Sequence, residues 1–108
     1  MYGVNITVVK TEFYSDLAMD INTNIEGNFG QCPIFKVGQS FLIHDTGEIP
    51  ENFCAWAWAD IQRNIAMLIF GGQPQPVMKN PYSMYVCCDE GIRPVIFKLE
   101  RVELYDIG

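Results

Sequence analysis

Basic residues are scarce in this chain: 7 Lys and Arg stand against 13 Asp and Glu, for a formal charge of -6, and there is one histidine. That balance argues against a nucleic-acid partner, where binding begins from cations facing phosphates, and against an anionic membrane surface. No apolar run reaches the roughly eighteen residues a bilayer crossing needs. The N-terminus has neither a basic stretch nor a continuous apolar one, so no secretory signal is read there. A cytoplasmic location is expected. Missing too are a Gly-rich phosphate loop, paired carboxylates at useful spacing, and a serine with an evident base. Cys-x-x-Cys, the usual mark of a structural zinc knuckle, is also absent.

What is present is a core. The chain has 108 residues, 49% of them apolar, which excludes disorder and fits one domain over residues 1–108. Folding at this length hides roughly two thirds of the unfolded surface. Val4, Ile6 and Val8 alternate with Asn5 and Thr7, predicting a strand over about 3–10. Ser15 reads as the N-cap of a short helix with Leu17, Ala18 and Ile21 on one face, and residues 22–31 read as loop. Gly38 marks a turn after Lys36 and Val37. Ser40 to His44 reads as a short strand buried on both faces.

The longest periodic segment runs from about Ala55 to Phe70, with Trp58, Ile61, Ile65 and Leu68 at helical spacing and Gly71-Gly72 as a stop. The last third reads as a hairpin, with Tyr82 to Cys88 and Ile92 to Val102 around a three-residue turn, Asp89-Glu90-Gly91. That register sets Cys87 opposite Arg93 and Cys88 opposite Ile92, and Pro94 marks its strand as an edge or a bulge. The fold class is therefore α+β: a small antiparallel sheet of three to five strands against one long helix, with a short N-terminal helix and a C-terminal hairpin.

Four stretches carry a resemblance. Cys32-Pro33-Ile34-Phe35, Phe53-Cys54-Ala55-Trp56-Ala57-Trp58-Ala59-Asp60, Phe70-Gly71-Gly72 and the segment from Cys87-Cys88-Asp89-Glu90-Gly91 to Arg93-Pro94-Val95-Ile96-Phe97 are similar to motifs of a family of short prokaryotic proteins. The resemblance spans most of the chain and implies a complete small protein. It brings no activity, substrate or cofactor, since none is assigned to that family.

Function then turns on Cys32, Cys54, Cys87 and Cys88. A reducing compartment disfavours structural disulfides, which leaves three roles. The four thiols could hold zinc or an iron–sulfur cluster, although their spacings of 22, 33 and 1 lack the usual close pairing. Alternatively Cys54, at a helix start, or Cys87, beside Arg93, is a reactive thiol in an enzyme or redox protein, with His44 the one histidine available as a base. Any single cysteine reads first as a small buried hydrophobe, but four in 108 residues is about twice ordinary usage. The third role is non-catalytic: an interaction module or a homodimer through the edge strand carrying Pro94.

Trp56 and Trp58 diverge by about 200° on a helix. Trp58 therefore joins the core, and Trp56 lines a groove as a wall for a small-molecule ligand or rests under a loop. Asp60 and Arg93 are expected to pair or to orient a ligand carboxylate. The metal-binding reading is placed first, because all of these motifs except Phe70-Gly71-Gly72 are built around cysteine.

Overall fold

The computed structural model describes residues 1–21, 30–74 and 79–104. It has six elements: β1 (Tyr2–Thr11), α1 (Ser15–Ile21), β2 (Ser40–Ile43), α2 (Ala55–Ile69), β3 (Ser83–Cys87) and β4 (Val95–Glu103). The strands form one antiparallel sheet in the order β2-β1-β4-β3. The α+β class, the long helix and the C-terminal hairpin are as expected from the sequence.

Alternation along each strand decides which face carries the core. Val4, Ile6 and Val8 of β1 lie in register with Leu99 and Phe97 of β4 and with Ile43 of β2, and all are buried. Onto this face α2 lays Ala57, Ile61, Ile65 and Leu68, each at most 2% exposed. Burying an Ile or Leu side chain contributes about 1.5–3 kcal/mol, so this stripe is what holds the helix to the sheet. Gly3 is required where β1 meets β2, since a Cβ there would stand 2.5 Å from the Ile43 carbonyl oxygen.

The end of α2 is closed as the two glycines predict. Gly71 has φ +90° and donates its N–H to the Leu68 carbonyl, while Gly72 donates to that of Met67. That is a Schellman motif, and its left-handed position costs glycine nothing. Arg101 lies on the core side of β4 and reaches the helix end, donating Nε–H to the Leu68 carbonyl at 2.7 Å and a further N–H to that of Gly72. Its guanidinium sits 4.8 Å from the ring centre of Tyr2 and 5.0 Å from that of Tyr82.

Several expectations are corrected. In α1 only Ala18 is buried, and Leu17 and Ile21 are exposed. The expected loop over 22–31 lies mostly outside the described residues. β2 is buried on one face alone, with Ile43 inside and Leu42 exposed, because the core that α2 shares with the sheet lies on one face of it. The hairpin connection is longer than a three-residue turn, with strand pairing beginning at Cys87 opposite Ile96.

The cause of that longer connection is where the 92–94 segment bonds. The Ile92 carbonyl accepts the Tyr14 N–H at 2.8 Å and the Pro94 carbonyl accepts that of Glu12 at 3.0 Å. The segment therefore continues along the chain after β1 and does not pair with β3. Pro94, which has no N–H to give, closes it. Arg93 is thereby removed from Cys87. The strand that follows Pro94 is central, so the edge strands are β2 and β3.

Candidate functional site

Five aromatic rings gather where the start of α2 meets the sheet. Phe35 stacks edge-on against Phe53 at 5.0 Å and against Phe97 at 5.1 Å, Phe41 meets Phe53 at 5.1 Å, and Trp58 meets Phe53 at 5.8 Å. Such pairs add about 0.5–1.5 kcal/mol each beyond the area they bury. Three cysteines lie close to these rings in the chain or the sheet. Cys32 stands three residues before Phe35, Cys54 follows Phe53, and Cys88 extends the strand in which Val86 opposes Phe97. All three thiols are partly buried against the core cluster.

They border a single cavity of about 470 Å³ together with Trp56, Asp60 and Arg93. The cavity opens between the first turns of α2 and the connection from Cys88 to Val95. The two walls are tied together: Asp60 Oδ2 accepts the Asp89 N–H at 2.8 Å. Cys88 forms the base of the connection, donating its N–H to the Val95 carbonyl at 3.2 Å while its Sγ accepts the Val95 N–H at 3.3 Å. Glu90 also borders the opening, and its carboxylate accepts the Ile92 N–H at 3.3 Å.

Cys54 is the N-cap residue of α2, in extended geometry (φ -62°, ψ 123°), and its side chain makes no capping hydrogen bond. Cys54 both packs against the core and borders the cavity. Trp56, the second residue of the helix, is 85% exposed. It forms a wall of the cavity, as its divergence from the half-buried Trp58 predicts.

The structure thus brings together six of the eight residues singled out from the sequence: Cys32, Cys54, Cys88, Trp56, Asp60 and Arg93. The two it leaves out are Cys87 and His44. Cys87 points to the sheet face away from α2 and is exposed, because neighbouring strand residues alternate and Cys88 has taken the inner position. His44 is exposed at the end of β2, where its carbonyl accepts the Gly47 N–H. Neither borders the cavity. A four-thiolate set is therefore not assembled, and among the described residues no three His, Cys, Asp or Glu side chains are grouped so as to hold a metal ion.

Cys88 is the residue that sequence reasoning undervalued, having favoured Cys54 and Cys87 as reactive thiols. The signal that points to it is parity: Met84, Val86 and Cys88 share a face, and that face is the apolar one. Among the described residues no helix is long and apolar enough to cross a membrane. Comparison with family models, with curated proteins and with solved structures gave no match.

Proposed function

We propose that this protein acts through the sulfurs of the cavity. A small ligand enters beside Trp56 and meets Cys32, Cys54 and Cys88, which hold it or react with it. One observation carries the reading: three thiols far apart in sequence border one cavity together with an indole and charged side chains of both signs. A volume of about 470 Å³ is of the size that takes a metabolite-sized molecule. Plain packing would scatter buried cysteines through the core, and here they share one opening.

The reading keeps the thiols of the metal-binding expectation but needs no tetrahedral set, which agrees with the absence of a metal-ligating group among the described residues. It also replaces Cys87 by Cys88 among the candidate reactive thiols.

Site-resolved labelling tests it. Folded, reduced protein is treated with monobromobimane and the labelled cysteines are mapped by mass spectrometry. Label is expected on Cys87 and on at least one cavity cysteine. Label confined to Cys87, with the other three reacting only in urea, would reduce them to packing. Near-stoichiometric zinc or iron in protein purified without a tag would instead favour the metal reading.

A further inference from the structure

The make-up of the cavity narrows its chemistry. Three sulfurs are more than a single nucleophile requires, and no histidine stands among the bordering residues to serve as a base. Where several thiols border one cavity, a chemistry open to them is two-electron exchange at sulfur.

We infer, resting on the reading above, that the cavity exchanges its thiols with a small zwitterionic disulfide of the amino-acid or peptide type. The charges at its border suit both ends of such a molecule. Asp60, Asp89 and Glu90 offer carboxylates to an ammonium group, Arg93 offers a guanidinium to a carboxylate, and Trp56 supplies a flat apolar wall.

The balance of the reaction is simple. One cavity thiolate attacks a sulfur of the small disulfide, forming a mixed disulfide and releasing one small thiolate. A second cavity thiolate then attacks the bonded protein sulfur and expels the other. Two protein thiols become one disulfide, the small disulfide becomes two thiols, and the two protons lost by the protein go to them. The sulfurs come from three separate parts of the chain: the segment before Phe35, the start of α2 and the end of β3. Any pair joined this way ties together elements distant in sequence. Cys87 takes no part, because it lies on the other face of the sheet.

The test uses the full chain with oxidised glutathione as the probe, followed by disulfide mapping of the unsubstituted protein, so that no variant need fold. An intramolecular disulfide between two of Cys32, Cys54 and Cys88 is expected, with release of two glutathiones per chain. Serine in place of either mapped partner should then abolish the internal bond and trap a mixed disulfide on the other. 2-Hydroxyethyl disulfide, which is neutral, should react more slowly at the same sulfurs. Glutathione held only on Cys87, a Cys87–Cys88 bond, or separate adducts with no internal bond would each overturn the inference. So would equal rates with the charged and neutral probes. If bimane labels the cavity cysteines and glutathione forms no internal bond, the inference falls and the proposed function stands. If bimane reaches none of them, the proposed function falls first.

Discussion

The two ends of α2 are built in opposite ways. At the C-terminal end everything is closed: Gly71 and Gly72 return to the last turn, and Arg101 reaches across from β4 to two carbonyls while lying between two tyrosine rings. A cation there also complements the negative end of the helix dipole. At the N-terminal end the capping position holds Cys54, whose sulfur makes no cap, the first turn carries no acidic residue, and Trp56 is left 85% exposed. One end is arranged for stability. The other forgoes capping and places its side chains around a cavity. A position that could have stabilised the helix by capping borders the cavity instead.

Breaking the closed end should have the largest effect. Arg101→Ala removes two hydrogen bonds from a charged donor and the contact with both rings, and stability to urea is expected to fall by about 2–4 kcal/mol. Arg101→Lys should recover only part of it, because an ammonium cannot fork to two carbonyls in one plane. A loss under about 0.5 kcal/mol, the level of an ordinary surface substitution, would mean that the helix end is held by its glycines alone.

The open end should respond with the opposite sign. Cys54→Ser puts a preferred capping hydroxyl at a position already in capping geometry. It is expected to raise the urea midpoint, by about 0.5 kcal/mol in stability, while removing one thiol from the cavity. A destabilised Cys54→Ser would show that the sulfur is held by packing. Trp56→Ala should change stability least, by under about 0.5 kcal/mol. It should still alter the rate of bimane labelling at Cys32, Cys54 and Cys88, which leaves Cys87 as the internal control. Unchanged rates would remove Trp56 from the site.

Much of the architecture was legible from local pattern. The alternation in Val4, Ile6 and Val8, the 3.6-residue stripe through Ile61, Ile65 and Leu68, and the Gly71-Gly72 stop are each decided by residues close together in the chain. The hairpin register was not, because it depends on Glu12 and Tyr14, which take the carbonyls of Pro94 and Ile92 from about eighty residues away. A shift by an odd number of positions exchanges the two faces of a strand. That one long-range choice moved Cys87 away from Arg93 and turned Cys88 inward.

By itself, then, the amino-acid order determined an antiparallel sheet under one long amphipathic helix, and it marked cysteine, tryptophan, Asp60 and Arg93 as the residues to watch. Periodicity and turn chemistry are local, so they can be read without coordinates. Which cysteines border one cavity was decided only in three dimensions, by the ring cluster of Phe35, Phe53 and Phe97 and by strand parity at β3. Contacts between residues tens of positions apart follow from how the core packs, and no short stretch of sequence contains them.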